Sequence, residues 1–437
     1  MAAGLRRSFL PAPSLGPGRP RLVITGFMGT GKTAAGRAAA KALRLPFVDL
    51  DAMAEKVAGR TVAQIFATSG EDAFRQLERE LLEDAARLSG VVIATGGGAV
   101  LHEPEFARLA EGAVVAVLSA DRDEVLRRLG DGDRRPLLGA DPAGAVDRLL
   151  EARADRYAAA GPTLDTSSMT VTEVATFLVQ RYREAADPRS VTLPVHGPEG
   201  RYPVIVRPHI LQRVGELLHR IRPEATRAAI VVDADVMTPW GRKVTASVAE
   251  TGVDAGTPIV LPAGEEGKTA AAVTDLWQRL RDRRLSREDV VVAVGGGGTL
   301  DVAGFAAATY ARGVPLVNVP TTLLSMVDAG LGGKVGIDHA GVKNLVGAFH
   351  HPAAVVADPL VLETLPPRAL RAGLGECVKA AVAASPMVLD VLEALPLLDH
   401  LLTYVGWIAE QAIRVKAAYV RDDPFDRGLR HALNLGH

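Results

Sequence analysis

Residues 22–33 read Leu-Val-Ile-Thr-Gly-Phe-Met-Gly-Thr-Gly-Lys-Thr, an apolar run followed by a glycine-rich turn. A helical pattern begins at Thr33, so the turn lies between a strand and a helix. In this context, backbone N–H groups and a helix N-terminus surround a polyphosphate. We expect Lys32 to reach the β- and γ-phosphates and the Thr33 hydroxyl to hold Mg²⁺. A glycine turn with an incidental Lys-Thr is the alternative, but the spacing and both flanks favour a nucleoside triphosphate.

The composition is that of a globular protein, with 48% hydrophobic and 23% charged residues, and 437 residues suffice for two or three domains. A formal net charge of -1 argues against a nucleic acid or a membrane surface as partner. Cys377 is the only cysteine, which excludes a disulfide within the chain and fits a reducing, cytoplasmic location. No apolar run has the length of a membrane span. Residues 1–20, basic and proline-rich, predict a disordered extension rather than a transit peptide.

Two carboxylates follow the second apolar run, at Asp49 and Asp51. Because they alternate by two, we expect them on one face of a short strand, near the metal and the phosphate acceptor. The alternative is that Asp51 caps a helix that begins at Ala52.

Arginines and glycines accumulate over residues 74–157. Arg75 and Glu78 are three apart on a predicted helix, for which a solvated surface pair is the alternative. A strand over residues 91–95 runs into Gly96–Gly98, at the edge of an α/β sheet where ligands bind. An arginine-bearing segment that can close over ATP then contains Arg127, Arg128, Arg134 and Arg135.

These features together resemble the shikimate kinase family over residues 21–186. The resemblance implies a P-loop kinase domain with a parallel sheet, like that of nucleoside-monophosphate kinases, and ATP-dependent phosphorylation of shikimate. It implies that ATP is bound by Gly29, Thr30, Gly31, Lys32, Thr33, Ala34 and Arg135, and Mg²⁺ by Thr33 and Asp49. It implies that shikimate is bound by Asp51, Arg75, Gly97, Gly98 and Arg153. The catalytic residues that it implies are Lys32, Asp51 and Arg135.

The chemistry of shikimate agrees with this set. Its carboxylate suits bidentate arginines, and its hydroxyls suit an aspartate that orients one of them. A kinase for another small polyol, such as gluconate, is the main alternative. Ser167 and Ser168 stand where some family members have an arginine beside the adenine, so nucleotide preference is left open.

A second α/β pattern follows a linker near Asp187. Edge strands are predicted at 191–194 and 202–206, and apolar runs then alternate with helical patterns. These runs lie at 228–232, 257–261, 290–294 and 314–319. Gly295–Gly298 follows the third run and precedes a helix over 303–310, which indicates that backbone approaches a phosphate-like group.

Charged residues cluster in the last hundred positions. Glu376 and Lys379 are three apart in a helical stretch, so both can face one site. Arg430, Asn434 and His437 are spaced i, i+4, i+7, which is one face of an α-helix. A solvated face explains any one of them, but the set favours a site.

From near residue 190 the chain resembles 3-dehydroquinate synthase. The resemblance implies a Rossmann-like NAD-binding α/β domain over 187–365 and the start of an α-helical metal and substrate domain over 366–437. It implies conversion of 3-deoxy-arabino-heptulosonate 7-phosphate to 3-dehydroquinate with phosphate elimination. The implied cofactors are NAD and Zn²⁺, with Co²⁺ as the alternative metal, and the implied assembly is a homodimer through this half.

The same resemblance assigns residues to each ligand. NAD is assigned to Asp233, Glu265, Lys268, Gly296, Gly297, Gly298, Asp301, Thr321, Thr322, Lys334 and Lys343. The sugar phosphate is assigned to Asp328, Lys334, Lys343, Asn344, Lys379, Arg430 and Asn434, of which Lys334, Lys379 and Asn434 are catalytic. Zinc is assigned to Glu376 and His437.

Two departures from the synthase pattern bear on these assignments. Leu300 occupies the place of a small residue beside the cofactor turn. The sequence given stops at His437, before a further zinc-ligating histidine and a substrate lysine of the family.

Three interpretations stay open. The first is a two-enzyme fusion of aromatic amino-acid (chorismate) biosynthesis that acts only on small molecules. The second joins the kinase to a related sugar-phosphate cyclase or a polyol dehydrogenase. The third makes the second half non-catalytic.

Overall fold

The computed structural model describes residues 18–130, 138, 141–187, 190–198, 200–384, 386–395 and 397–434, with the side chains of 384, 386, 397–400 and 434 outside that description. Backbone contacts divide the chain into two compact units. The first, the kinase unit, lies within Arg19–Pro188 and Ser385–His400, and the second, the synthase unit, lies within Arg189–Ala384 and Leu401–His437. Ser385–His400, expected in the helical domain of the second half, thus belongs to the first unit. The predicted disordered extension lies almost wholly outside the described residues.

The described residues up to Ala185 form five strands and seven α-helices. The strands are β1 Leu22–Gly26, β2 Phe47–Asp49, β3 Val92–Ala94, β4 Val114–Ser119 and β5 Thr163–Asp165. The helices are α1 Lys32–Leu43, α2 Leu50–Ala58, α3 Val62–Ala86, α4 Glu103–Ala110, α5 Arg122–Leu129, α6 Pro142–Ala160 and α7 Val171–Ala185. The strands pair in parallel in the order β2-β3-β1-β4-β5.

Strand β1 is the centre of this sheet, and its five residues are all buried. A strand covered on both faces reads as a continuous apolar run, which is why residues 22–25 gave a clear prediction. Leu22 and Ile24 pack with Leu43 of α1 and with Leu178 and Tyr182 of α7 in one core. This packing fixes the end of β1, and with it the turn that follows.

The segment after β2 differs from the prediction. The strand ends at Asp49, and Asp51 already lies in the first turn of α2. The Asp49 carboxylate accepts hydrogen bonds from the backbone N–H groups of Asp51 and Ala52, at 3.0 and 3.3 Å. Asp49 is therefore the helix cap, so the strand-face expectation and the alternative of an Asp51 cap are both wrong. Further on, α3 has a break at Gly70, whose φ is 82°.

The chain from Val191 onward forms nine strands and seven helices among the described residues. The strands are β6 Val191–Gly197, β7 Gly200–Val206, β8 Ala228–Asp233, β9 Ile259–Leu261, β10 Val290–Gly295, β11 Leu316–Pro320, β12 Lys334–His339, β13 Val342–Phe349 and β14 Ala354–Ala357. The helices are α8 Val214–Ile221, α9 Arg242–Ala249, α10 Ala270–Asp282, α11 Gly297–Thr309, α12 Pro367–Ala384, α13 Pro386–Ala394 and α14 Leu397–Asp422.

Seven of these strands form a sheet in the order β6-β7-β14-β11-β10-β8-β9. Only β6 runs antiparallel to its neighbour, and β12 pairs with β13 in a separate hairpin. The predicted class is confirmed: two α/β parts built on parallel sheets, followed by helices. Of the two predicted edge strands, only β6 is at the edge, because β7 also pairs with β14.

Two helical predictions in this half need correction. The helix expected from residue 303 begins at Gly297, directly after the glycine turn. Leu429–Asn434 is a 3-10 helix rather than part of an α-helix. A 3-10 helix has three residues per turn, so the i, i+4 spacing of Arg430 and Asn434 does not place them on one face. His437 lies outside the described residues.

Helix α13 contacts α2 through two ion pairs within the kinase unit. The ammonium of Lys56 lies 3.1 Å from an Asp390 oxygen and 2.9 Å from a Glu393 oxygen. The hydrogen bond to Glu393, followed by the bond and charge of Asp390, raises the pKa of Lys56 although partial burial opposes it. The acids of α13 thus hold the C-terminal part of α2. No helix in the described part of the chain combines the length and apolarity needed to cross a bilayer.

The core at Leu178 gives a test of this packing. Leu178→Ala leaves a cavity beside β1, so the free energy of unfolding of the kinase unit should fall by about 2–5 kcal/mol. Leu101→Ala is the matched control, because that side chain is 41% exposed and its loss should change stability by about 0.5 kcal/mol. Urea denaturation followed by circular dichroism measures both. Equal losses in the two variants would contradict the assigned core.

Candidate active sites

The glycine-rich loop between β1 and α1 has the backbone conformation of an anion cradle. Gly29 and Gly31 have φ of 79° and 89°, a region that other residues adopt only with strain. The ammonium of Lys32 donates to the carbonyls of Gly26 and Phe27, at 2.8 Å each. The Thr30 hydroxyl donates to the same Phe27 carbonyl at 2.8 Å and is itself buried. These hydrogen bonds stabilise the turn of the loop at the N-terminus of α1.

Thr33 and Asp49, the predicted magnesium ligands, contact each other beside this loop. The Thr33 hydroxyl donates to Asp49 Oδ2 at 2.6 Å, while Asp49 Oδ1 caps α2. A hydroxyl and a carboxylate oxygen are hard ligands of the kind that Mg²⁺ prefers alongside phosphate oxygens and water. The residues present therefore fit a magnesium ion.

One cavity of about 570 Å³ joins the loop to the predicted substrate residues. It is lined, among others, by Gly29, Gly31, Lys32, Thr33, Ala34, Asp49, Asp51, Arg75, Gly97, Gly98 and Arg153. Thr30 supports the loop from behind, and the lid residue Arg135 lies outside the described residues. Every other predicted kinase residue therefore meets at one cavity.

Arg75 and Arg153 lie where the triple-glycine segment borders the cavity. Arg75 Nη1 donates to Glu78 Oε2 at 2.7 Å, and Arg153 Nη1 donates to the Gly97 carbonyl at 3.0 Å. Tyr157 donates to the same carbonyl at 2.6 Å. A side chain at Gly98 would overlap the Arg75 guanidinium, so the glycine is required for this approach.

The pair of Arg75 and Glu78 is not the solvated surface pair of the alternative, because Glu78 is only 4% exposed. Burial raises the pKa of Glu78, but the hydrogen bond from His102 and the charge of Arg75 outweigh it and the net shift is downward. Glu78 is therefore an ionised, buried anchor for Arg75.

Sequence reasoning missed two contributors to this site. His102 contacts Glu78, but a lone histidine carries no motif signal. Arg128, noted only as part of a mobile segment, donates to the Gly29 carbonyl at 3.3 Å and the Thr166 carbonyl at 2.7 Å. A neighbouring cavity of about 470 Å³ is lined by Arg128, Ser167 and Ser168, among others. Thr30 and Gly31 of the phosphate loop also line this cavity.

In the synthase unit, the carboxyl ends of β8 and β10 form a crevice suited to a dinucleotide. The chain proceeds from β8 to β9 on one side and from β10 to β11 on the other, so a topological switch point lies between them. Asp233 ends β8 and accepts from the Gly264 N–H at 3.4 Å and the Thr299 hydroxyl at 3.3 Å. A Cβ on Gly298 would lie 2.5 Å from the Gly264 carbonyl oxygen. The residues present therefore fit NAD.

Most other residues assigned to NAD lie around this crevice. Lys268 pairs with Asp301 at 2.9 Å and also donates to Asn344. Burial raises the pKa of Asp301 to about 6, although the charge of Lys268 opposes the shift. Glu265 lies 3.7 Å from Lys268 and is exposed. Leu300 is buried in the core, so this departure does not enter the crevice.

The two threonines assigned to NAD follow β11. The Thr321 N–H donates to the Gly295 carbonyl at 2.9 Å, and the Thr322 hydroxyl lies 2.9 Å from that of Ser325. Both are thus beside the glycine turn. Gly296 caps α11, and Gly297 is its first residue.

A polar cavity of about 620 Å³ contains the predicted substrate residues of the same unit. Its charged and amide lining consists of Asp301, Asp328, Lys334, Asn344, Lys379, Lys416, Asp426 and Arg430. Lys343 does not line it and is exposed on β13. The backbone of Asn434 ends the 3-10 helix that carries Arg430, and its side chain lies outside the description.

The cations of this cavity are paired with acids. Lys334 pairs with Asp426, Lys379 with Glu376, and Lys416 with Asp328. Burial lowers the pKa of Lys416, while Lys416 and its neighbours hold the pKa of Asp328 below its usual value against burial. Sequence reasoning missed Lys416 and Asp426, because each pairs with a residue about 90 positions away.

The predicted zinc centre is not assembled by the described residues. They contain no group of three or more His, Cys, Asp or Glu residues placed to hold a metal ion. Glu376 is paired with Lys379, and the other predicted ligand, His437, lies outside the description. The described residues thus do not fit the three protein ligands of a catalytic zinc.

The hydroxyl of Thr33 provides a test of the magnesium site. Thr33→Val keeps the side-chain volume but removes the oxygen, so affinity for ADP with Mg²⁺ should fall roughly tenfold. Affinity for ADP in EDTA should be unchanged. Thr176→Val on α7, whose hydroxyl bonds only within its helix, is the control. Isothermal titration calorimetry measures both, and an unaltered affinity for Mg·ADP would exclude the assignment.

Family comparisons place the two units in known families. Residues 28–183 match the shikimate kinase family, residues 258–372 match the N-terminal part of 3-dehydroquinate synthase, and residues 373–437 match its C-terminal part.

Two relatives match about half of the chain, and a third matches almost all of it. The 2-epi-valiolone synthase of Stigmatella aurantiaca is 41% identical over 251 residues, which are 55% of this chain and 62% of that protein. The 3-dehydroquinate synthase of Symbiobacterium thermophilum is 41% identical over 243 residues, 55% of this chain and 67% of that protein. The chain thus spans about two thirds of the length of these two synthases.

The third relative matches along both units. The bifunctional shikimate kinase/3-dehydroquinate synthase of Thermotoga maritima is 32% identical over 417 residues, which are 95% of this chain and 78% of that protein. The chain therefore belongs to the bifunctional shikimate kinase/3-dehydroquinate synthase family, which joins two enzymes of aromatic amino-acid biosynthesis in one polypeptide.

Proposed function

We propose that the kinase unit transfers the γ-phosphoryl group of ATP to a hydroxyl of shikimate, giving shikimate 3-phosphate. The observation that carries this proposal is that one cavity is lined both by Lys32, Thr33 and Asp49 and by Arg75 and Arg153. The first group suits a polyphosphate and Mg²⁺, and the two arginines suit a carboxylate.

Each group of residues lining the cavity is assigned one role in the phosphoryl transfer. Lys32 and the loop N–H groups neutralise the transferred phosphoryl group, and Thr33 and Asp49 hold Mg²⁺ on its oxygens. The arginines hold the shikimate carboxylate. Asp51 lines the same cavity, where it orients the attacking hydroxyl and accepts its proton. We place the nucleoside in the cavity beside Arg128, and Arg135 is assigned to ATP by family resemblance.

The arginines give the first functional prediction. Arg75→Ala and Arg153→Ala should each raise the KM for shikimate roughly 10- to 100-fold, because each removes a charge-assisted bond to the carboxylate. The KM for ATP should stay within about twofold. Arg108→Ala is the control, since its guanidinium pairs on the surface with Glu83. Steady-state kinetics with shikimate and with gluconate measure the effect. An unchanged KM for shikimate in both variants would refute shikimate as the substrate.

For the synthase unit, we propose conversion of 3-deoxy-arabino-heptulosonate 7-phosphate to 3-dehydroquinate with phosphate elimination. The polar cavity supports this, because four cations converge there: Lys334, Lys379, Lys416 and Arg430. The substrate carries a phosphate and a carboxylate, and these anions replace the acids that now pair with the lysines. Asp328 and Asn344 remain for its hydroxyls.

NAD fits the crevice beside this cavity and, when bound, supplies a reversible hydride acceptor next to the substrate ring. Asp233, Lys268 and Gly296–Gly298 would hold it, with Asp301 between the crevice and the cavity. We assign no step to zinc or Co²⁺, because the described residues do not assemble their ligands.

A related sugar-phosphate cyclase is the second candidate, favoured by the equal identity, 41%, to a 2-epi-valiolone synthase and to a 3-dehydroquinate synthase. Identification of the product by mass spectrometry separates the two. We further propose a homodimer through the synthase unit and a location in the cytoplasm. Sedimentation equilibrium of the full chain tests the first and cell fractionation the second.

Lys416 gives a prediction for this unit. Lys416→Met should reduce phosphate release from 3-deoxy-arabino-heptulosonate 7-phosphate about 100-fold. The substitution leaves the partly buried Asp328 and a substrate anion without their cation. NAD and zinc are supplied, and shikimate phosphorylation in the same preparation should be unchanged. Lys243→Met is the control, since that lysine lies over Trp240 away from the cavity. Kinase activity without phosphate release in the parent chain would contradict the proposed synthase activity.

A further inference from the structure

His102 lies directly behind the carboxylate-binding end of the kinase cavity. It is the only histidine in the first 195 residues, and it is buried, with 7% of its surface exposed. It follows the 3-10 turn Ala99–Leu101 and precedes α4. Its backbone N–H donates to the Ala99 carbonyl at 3.1 Å, and its carbonyl accepts from the Phe106 N–H at 2.8 Å. The ring is thus fixed to the segment that follows the triple glycine.

The neighbours of the imidazole determine which nitrogen carries the proton. Arg79 Nε donates to His102 Nδ1 at 3.3 Å. A guanidinium can only donate, so Nδ1 must present its lone pair. The remaining nitrogen, Nε2, therefore carries the hydrogen and donates it to Glu78 Oε2 at 2.9 Å. In this arrangement the His102 ring donates from Nε2 toward the active site.

Glu78 connects His102 to Arg75 through hydrogen bonds to one carboxylate oxygen. The same oxygen, Glu78 Oε2, also accepts from Arg75 Nη1 at 2.7 Å. The other oxygen, Oε1, is buried and has no hydrogen-bond partner in the described structure. The orientation of this buried carboxylate therefore depends on Oε2 alone, and His102 is its bond to the chain outside α3.

We propose that His102 is a positioning residue that sets shikimate affinity by orienting Glu78 and, through it, the Arg75 guanidinium. The inference rests on the proposed function of the kinase unit. His102 does not line the cavity, so it acts through Glu78 rather than by direct contact. Glu71 Oε1 accepts from Arg75 Nε and Nη2 at 3.1 and 2.9 Å, so Glu78 is the partner that restrains Nη1. Loss of His102 allows Glu78 to turn and releases Nη1 from the orientation that a bidentate carboxylate requires.

The test compares His102→Leu with His102→Gln in the full chain. Leucine fills the site without hydrogen bonds, and the KM for shikimate should rise about tenfold. The kcat and the KM for ATP should stay within about twofold. Glutamine offers an amide N–H to Glu78 and an oxygen to Arg79, so its KM should return to within about threefold of the parent value. If His102 only packed, both substitutions would lower stability. Neither would raise the KM for shikimate separately from kcat and the KM for ATP.

A second comparison asks whether the effect passes through Arg75. In the Arg75→Ala background, His102→Leu should raise the KM for shikimate no further, because the group that it positions is gone. A further rise equal to that in the parent would overturn the inference. Arg79→Met provides a second variant in case His102→Leu does not fold. It removes the bond to His102 Nδ1 at an exposed position, without altering the core. It should raise the KM for shikimate about threefold.

The parent chain distinguishes the two levels of failure. If it does not phosphorylate shikimate, the proposed function fails and the inference falls with it. If it does, and His102→Leu and Arg79→Met leave the KM for shikimate unchanged, only the role of His102 is refuted.

Discussion

The two oxygens of Asp49 connect the parts of the kinase unit. One oxygen caps α2, and the other accepts the hydrogen bond of the Thr33 hydroxyl. The cap fixes the start of the helix that carries Asp51, while the hydroxyl belongs to the first turn of α1 after the phosphate loop. Nucleotide end and substrate end thus share one carboxylate. Because charge-assisted bonds of this kind are short and directional, the spacing between phosphoryl donor and acceptor is set by a single side chain.

The synthase cavity follows a different electrostatic principle. Its lysines are paired with Asp328, Glu376 and Asp426, so the cavity approaches neutrality without a ligand. Unpaired ammonium groups as buried as those of Lys379 and Lys416 are costly to desolvate, and the acids offset that cost. An entering anion must therefore compete with carboxylates for the same cations. This arrangement favours a substrate with two anionic groups over a neutral sugar, because only the former restores each pair that it breaks.

The sequence predicted the features that depend on local pattern. The turn at residues 26–33 and the buried strands follow from apolar runs and from the common edge of parallel strands. The placement of Arg75 and Arg153 in the same cavity came from the family resemblance, because both lie on helices rather than at a strand end. The end of β2 was not predictable, because a cap bond of an aspartate competes locally with one more strand residue. The 3-10 form of Leu429–Asn434 differs from an α-helix by small energies that tertiary contacts decide.

The sequence could not predict the ion pairs of Lys416 with Asp328 and of Lys334 with Asp426, for a different reason. Each joins residues that are about 90 positions apart, and no periodicity in the sequence relates them. The exposure of Lys343 likewise depends on the register of the β12–β13 hairpin, in which His339 pairs with Val342. Site residues carried by a motif were thus found, and those brought in by packing were not.

The membership of α13 in the kinase unit bears on how the chain is made. This unit is discontinuous in sequence, with almost 200 residues between Pro188 and Ser385. At about 5–20 residues per second, a ribosome needs about 10–40 s to cross that interval. During this time α2 is exposed to the cell without the acids that later bind Lys56. The nascent kinase unit thus completes its surface only after most of the synthase unit has been synthesised.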